Sequence, residues 1–210
     1  MVASPRPTTI LLVRHGVTST TGKILPGRAP GLHLSDAGVG QAEAVAARIA
    51  PLRPRALYAS PLERTRETAR PIAAAIGKRT VVHRGLVECD FGAWTGKTLT
   101  SLSKKPEWRQ VQDSPSTFRF PDGESFIEMQ QRMWDTLHTL AERHRGGTIV
   151  AVSHADPIKA AVAMAQGIPL DLFQRTVISP CSVSAIVLGR GRPMVLCVNS
   201  LSQLTELRPS

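Results

Sequence analysis

Four short apolar runs are the feature of this sequence that most restricts its fold. They lie at residues 9–13, 56–59, 80–82 and 148–152. The first and last runs have almost no polar alternation, which is typical of strands covered by helices on both faces of a parallel sheet. Residues 184–188 and 194–198, joined by a turn that contains Gly and Pro, indicate a hairpin at the edge of that sheet.

Helical patterns separate these runs. Apolar residues recur at helical spacing over residues 42–49, 62–76, 126–140 and 156–165. Ser60 and Glu63 have the spacing of a capping box at the start of the second helix. Because strands and helices alternate along the chain, the sequence predicts a doubly wound α/β fold.

The length of the chain and the lack of a linker predict one domain. A chain of 210 residues has the size of a single domain, and we expect residues 1–210 to form it. Residues 95–122 are rich in Lys, Pro and Ser and lack apolar periodicity. This composition predicts an insertion, or lid, over one end of the sheet.

Cysteine usage and hydropathy favour a cytoplasmic protein. Three widely spaced cysteines without a CxxC pair fit a reducing compartment better than a disulfide framework. Residues 1–7 are polar and contain two prolines, unlike a signal peptide. Since no apolar run approaches the roughly 18 residues of a membrane span, we expect no membrane partner. The sequence leaves the oligomeric state open, a homodimer included.

The charge balance favours an anionic ligand. Lys and Arg number 26 against 16 for Asp and Glu, a net charge of +10. Nucleic-acid binding usually requires a basic run or a basic stripe interleaved with aromatic residues. Here the basic residues are scattered, and the chain has only five Phe, three Trp and one Tyr. We therefore expect a small anionic ligand and no nucleic acid.

Candidate catalytic residues follow three predicted strands. Arg14 and His15 follow the first, Arg64 lies just beyond the second, and His154 and Asp156 follow the fourth. Carboxyl ends of parallel strands meet at one edge of a sheet, where ligands bind. Each residue alone has a plain structural interpretation, and a metal site on the two histidines and Asp156 is an alternative. No HxH or HxxxH spacing supports that metal site.

Several segments together resemble the histidine phosphatase superfamily, also called the phosphoglycerate mutase-like family. The segments are LVRHG at 12–16, LSDAGVGQA at 34–42, SPLERTRETA at 60–69, LVECDFGAWTG at 86–96, FPDGES at 120–125 with Arg132, and VSH at 152–154. The resemblance covers most of residues 9–160. It implies a three-layer αβα sandwich with a mostly parallel central sheet, and phosphoryl transfer through a phosphohistidine.

The resemblance also implies roles for individual residues. His15 is the nucleophile, with its tautomer held by the backbone at Gly16, and three side chains bind the phosphoryl group and supply positive charge. Those three are Arg14, Arg64 and His154. Glu88 is the expected general acid. Asp156 is the rival proton donor, and Thr18, Thr21 and Ala155 are further candidates for substrate binding, although Thr21 stands where the family often has Asn.

The resemblance implies a metal-independent phosphomonoesterase that acts on a small phosphorylated metabolite and needs no cofactor. A phosphoglycerate-type phosphomutase is the alternative, and a non-catalytic phospho-ligand or partner-binding module is the alternative from another class. The insertion carries five basic residues, namely Lys97, Lys104, Lys105, Arg109 and Arg119. They are expected either to bind a second anionic group of the substrate or to form a solvated basic loop.

Overall fold

The computed structural model describes residues 6–204, and its centre is a six-stranded sheet. The strands are β1 (Thr8–Arg14), β2 (Ala56–Ala59), β3 (Thr80–Val82), β4 (Thr148–Ser153), β5 (Val183–Leu188) and β6 (Met194–Ser200). Their order in the sheet is β3-β2-β4-β1-β5-β6. The first four strands are parallel, and β5 runs antiparallel to β1 and to the edge strand β6. The mostly parallel sheet with a hairpin at its edge is thereby confirmed.

Helices cover both faces of this sheet, as the predicted αβα sandwich requires. They are α1 (Asp36–Ile49), α2 (Glu63–Ile76), α3 (Leu99–Leu102), α4 (Pro106–Asp113), α5 (Phe126–Arg143) and α6 (Ala155–Gln166). The position of β1 between the two helical layers explains why its central residues are apolar on both faces. Ile10 and Leu12 pack against α5 and α6, whereas Leu11 and Val13 pack against α1 and α2. Burying each such side chain stabilises the fold by about 1.5–3 kcal/mol.

The predicted capping box at Ser60 and Glu63 is wrong. Helix α2 begins at Glu63, and its N-cap residue is Leu62, whose side chain cannot accept a hydrogen bond. A capping box does occur in the described chain, at the start of α5, between Ser125 and Glu128. Ser60 is therefore free for another contact, which lies in the candidate site.

The segment at residues 95–122 is more ordered than its composition indicates. It contains α3 and α4, and its apolar side chains pack with those of α5 in a third core cluster at one end of the molecule. The segment contributes four buried residues to this cluster, namely Leu102, Val111, Phe118 and Phe120. That this segment acts as a lid stays a prediction.

Two of the expectations from sequence concern residues at the ends of the chain. Residues 1–5 and 205–210 lie outside the described part, and with them most of the polar N-terminus and both limits of the expected domain. Within residues 6–204, no helix combines the length and the apolar character that crossing a bilayer requires.

Candidate active site

The two candidate histidines meet because their strands are neighbours. Strands β1 and β4 are parallel, and Arg14 pairs with Ser153 in their register. The residue that directly follows each strand is a histidine. The ring centroids of these two residues, His15 and His154, are 5.3 Å apart. The site therefore forms at the carboxyl ends of the strands, where the sequence predicts it.

His15 is held as a neutral ring with one free nitrogen. Its Nδ1 lies 2.8 Å from the carbonyl oxygen of Gly16, which can only accept a hydrogen bond, so Nδ1 carries the proton. Burial, and secondarily the charges of Arg64 and Arg14, lower the pKa of His15 to about 3. At neutral pH, Nε2 consequently keeps its lone pair and can act as a nucleophile.

The loop that carries His15 is fixed by two helices. The Gly16 N–H donates to Thr68 Oγ1 at 3.0 Å, and the Val17 N–H donates to Gln41 Oε1 at 3.0 Å. A Cβ on Gly16 would lie 2.6 Å from the carbonyl oxygen of Gly38, so only glycine allows this approach to α1. The sequence analysis quoted the segments that contain Thr68 and Gln41 but assigned neither residue a role. Thr68 lies one helical turn after Arg64, a spacing that places both on the same face of α2.

Two arginines, one fully buried and one half-buried, keep unused hydrogen-bond donors. Arg64 is fully buried, and its Nη2 donates to the carbonyl oxygen of Gly27 at 2.8 Å. Arg14 Nη1 donates to the carbonyl oxygen of Ile178 at 2.6 Å. Within residues 6–204, no partner is found for Nε and Nη1 of Arg64 or for Nε of Arg14. Because unpaired buried donors of a charged group are costly, these atoms indicate a place for an anion.

His154 contributes a neutral ring rather than the positive charge expected from sequence. Burial and the charge of Arg64 lower its pKa well below the usual value. Its Nε2 lies 2.8 Å from the hydroxyl oxygen of Ser60, and its Nδ1 lies 3.9 Å from Glu88 Oε2. A hydroxyl that donates to Nε2 leaves the proton on Nδ1, which can then donate to a bound oxygen. Ser60 is a further functional residue, to which the sequence analysis gave only a capping role, although it directly follows strand β2.

Glu88 has the acidity of a proton donor that works near neutral pH. Burial, and secondarily the nearby charge of Asp156, raise its pKa to about 7, while the charge of Arg64 opposes the rise. Its Oε1 accepts a hydrogen bond of 2.9 Å from the Cys89 N–H. A carboxyl group that titrates at this pH can donate a proton and later accept one.

A network of charges holds the backbone at Glu88. Arg28 Nε donates to the Glu88 carbonyl oxygen at 2.9 Å, and Arg132 Nη1 donates to the carbonyl oxygen of Val87 at 3.0 Å. Both guanidinium groups also pair with Glu124, at 2.8 and 2.9 Å. The sequence analysis quoted Arg132 and Glu124 as part of a resemblance but assigned them no role, and it missed Arg28.

A cavity of about 390 Å³ opens over this cluster. Of the predicted site residues, those that line it are Arg14, His15, Thr18, Thr21, Glu88, Ala155 and Asp156. Arg64 and His154 are fully buried and are not among the described residues that line it. The opposite wall is largely apolar and includes Leu99, Trp108 and Val111 of the insertion.

The remaining candidates lie in two short segments of the cavity wall. Thr18 and Thr21 bond to each other through their hydroxyl oxygens at 3.0 Å, and Thr21 Oγ1 also accepts from the Thr18 N–H at 2.9 Å. Ala155 and Asp156 form the first turn of α6. Among the residues that the structure describes, no group of three or more His, Cys, Asp and Glu side chains is placed to hold a metal ion.

Comparison with known proteins gives matches over most of the chain. Residues 10–201 match the family model described as histidine phosphatase superfamily (branch 1). Phosphoserine phosphatase 1 of Hydrogenobacter thermophilus is 30% identical over 202 residues, which cover 94% of each chain. A probable phosphoglycerate mutase, GpmB, of Erwinia tasmaniensis is 33% identical over 84% of this chain and 83% of its own. The phosphoserine phosphatase of Entamoeba histolytica, solved with 3-phosphoglyceric acid, is 26% identical with a TM-score of 0.83, covering 93% of this chain and 98% of its own.

Proposed function

The chain belongs to the histidine phosphatase superfamily and is a phosphatase, and we propose that it hydrolyses phosphate monoesters of small metabolites through a phosphoenzyme on His15. The proposal includes independence of a metal ion. It is supported above all by the fixed tautomer of His15, whose Nδ1 is hydrogen-bonded to Gly16 and whose Nε2 is free.

The first chemical step transfers the phosphoryl group to the enzyme. The lone pair of His15 Nε2 attacks phosphorus, an N–P bond forms, and the ester P–O bond breaks on the opposite side. Protonated Glu88 gives its proton to the departing alkoxide, which leaves as an alcohol. The raised pKa of Glu88, about 7, supports this role because the proton is still bound near neutral pH.

The second step returns the enzyme to its starting state. A water molecule attacks phosphorus while the Glu88 carboxylate takes its proton, and the N–P bond breaks to give inorganic phosphate and a neutral His15. Phosphoryl oxygens are bound by Arg14, Arg64 and His154 in this proposal. The unpartnered N–H groups of the two arginines support these contacts. Loss of one such donor typically costs about 10²–10³ in rate.

A phosphomutase uses the same phosphoenzyme and is the second candidate, since one relative bears that name. The two activities differ in their product. A phosphatase releases inorganic phosphate from 3-phosphoglycerate, whereas a mutase accumulates the 2-phospho isomer. A non-catalytic binding module would produce neither. Cytoplasmic location belongs to the proposal too, supported by three free cysteines of which two are buried.

Trapping the phosphoenzyme tests the proposal. Chelator-treated protein is mixed with a ³²P-labelled monoester, quenched within one turnover, and assayed for protein-bound phosphate that is stable to base and labile to acid. We expect such label in the wild type and in His138→Ala, whose histidine is exposed and outside the cavity. His15→Ala should give no label and lose at least about 10³ in turnover. Equal turnover of His15→Ala and wild type, or activity that requires a divalent cation, would overturn the proposal.

A further inference from the structure

The positions of the five basic residues of the insertion favour a solvated basic loop over a second anion site. All five are exposed. None of them is among the described residues that line the cavity. Arg109 pairs with Asp113 at 3.2 Å, and Arg119 pairs with Glu128. Any second anionic group of a substrate must therefore be bound elsewhere in the cavity.

Lys159 of α6 is the cation that the structure places there. Along the part of the cavity wall that the structure describes, it is the only Lys, and Arg14 is the only Arg. Its side chain is 17% exposed. Its Nζ lies 2.9 Å from Gln174 Oε1 and 3.5 Å from Asp156 Oδ1. Two elements of the fold thus hold one ammonium group against the cavity.

These contacts leave Lys159 able to bind a ligand. An ammonium group has three N–H donors, and Gln174 and Asp156 use at most two of them. The distance to Asp156, 3.5 Å, exceeds the roughly 2.7–2.9 Å of a full charge-assisted hydrogen bond. Because this carboxylate already balances part of the ammonium charge, a monoanion fits the site better than a dianion.

The position of Lys159 separates it from the phosphoryl site. It lies five residues beyond His154, which is about 7.5 Å along the axis of α6 at the usual rise of about 1.5 Å per residue. The apolar side chains of Leu99, Trp108 and Val111 line the cavity too and can cover the carbon atoms between the two charged groups.

We propose that Lys159, held by Gln174 and Asp156, binds a carboxylate on the alcohol portion of the substrate. The substrate class is then phosphate monoesters of small hydroxy acids. This inference rests on the proposed phosphatase activity and adds a specificity-determining residue to it.

Matched esters test this subsite. One pair is 3-phosphoglycerate and glycerol 1-phosphate, and the longer pair is 4-carboxyphenyl phosphate and its neutral 4-carbamoyl analogue. In the wild type, kcat/KM should favour the acid by about tenfold or more in at least one pair, the effect of one hydrogen bond between charged groups. Lys159→Met should remove most of that preference, and Lys159→Arg should keep most of it. The control Lys104→Met, at an exposed lysine outside the cavity, should leave the preference as in the wild type.

The outcomes separate this inference from the proposed function. If the wild type hydrolyses all four esters without preferring either acid, the carboxylate subsite is wrong and the phosphatase activity stands. If Lys159→Met lowers kcat/KM equally for both members of the preferred pair, Lys159 does not select the acid. Hydrolysis of none of the four esters would instead overturn the proposed function. The wild-type comparison decides the point even if Lys159→Met does not fold.

Discussion

At the scale of single residues, burial sets opposite protonation states on two neighbouring groups. It lowers the pKa of His15 to about 3 and raises that of Glu88 to about 7. Removal from water disfavours the charged form of either group, which is the cation of histidine and the anion of glutamate. One desolvated site therefore supplies a neutral nucleophile and a protonated acid over the same pH range.

Replacing Glu88 should separate the steps of the reaction. We expect Glu88→Gln to lose about 10²–10⁴ in kcat on an alkyl phosphate, whose alkoxide needs a proton. With 4-nitrophenyl phosphate the leaving group needs none, so a rapid burst of nitrophenolate should precede slow turnover. In the wild type, kcat/KM for the alkyl ester should decline as pH rises through about 7, because the protonated Glu88 is lost. Glu88→Gln should lack this limb.

Asp156→Asn is the matched control for that experiment, since Asp156 lines the same cavity and is the rival donor. It should keep the decline and show no burst, but the decline should move to lower pH, because the charge of Asp156 helps to raise the pKa of Glu88. If Glu88→Gln keeps the turnover of the wild type on the alkyl ester while Asp156→Asn loses it, the role of general acid belongs to Asp156.

At the scale of elements, helix α1 positions the catalytic loop through backbone contact. Gly38 lies in its first turn, where a Cβ would come within 2.1 Å of the Val17 carbonyl oxygen. Gly40 lies two residues further in the same helix, and a Cβ there would meet nothing within 4 Å. The two glycines therefore differ in their surroundings although both lie in the same helix.

Alanine at these two positions should change stability in opposite directions. Gly38→Ala should lower the free energy of unfolding by about 1–3 kcal/mol, because the Val17 backbone has to move. It should also lower kcat, since His15 belongs to the same loop as Val17. Gly40→Ala should raise the free energy of unfolding by about 0.5–1 kcal/mol through helix propensity. Urea unfolding measures both changes, and an equal effect of the two substitutions would contradict the close contact at Gly38.

The elements also show what sequence alone could predict. Apolar runs and helical stripes placed the strands and the major helices, because those patterns follow from which residues face the core. They also placed His15 and His154 at one edge. The role of Ser60 depends on a contact with His154, 94 residues away in the chain. Local spacing instead favoured a capping box, but helix α2 begins at Glu63 with Leu62 as its N-cap residue, so Ser60 lies outside the cap.

Lys159 illustrates the same limit for binding residues. Five basic residues clustered in sequence left open a second anion site or a solvated loop, and the structure places them exposed and outside the cavity as the described residues form it. Lys159 stands alone in an apolar helix, and its meeting with Gln174 requires the turn that follows α6. Charge density along a sequence does not show which charges face a cavity.

At the scale of the whole molecule, the site contains cationic side chains whose charge is not fully balanced by nearby carboxylates. The chain carries a net charge of +10, and the guanidinium groups of Arg14 and Arg64 lie close enough to influence one another and Glu88. Near pH 7 Glu88 is only partly ionised. A buried cation without a full counterion lowers the stability of the folded state until an anion binds.

Arg64→Met tests this balance between stability and function. Without ligand, the variant should unfold at a higher temperature than the wild type, because an apolar side chain of similar length replaces an incompletely paired buried cation. Inorganic phosphate should raise the unfolding temperature of the wild type through preferential binding to the folded state, and should raise that of Arg64→Met much less. Turnover of the variant should fall by about 10²–10³.

Arg66→Met, at an exposed arginine in the same helix, should show the phosphate response and the turnover of the wild type. Calorimetry at several phosphate concentrations measures these shifts, and a full phosphate response in Arg64→Met would show that Arg64 does not bind the phosphoryl group.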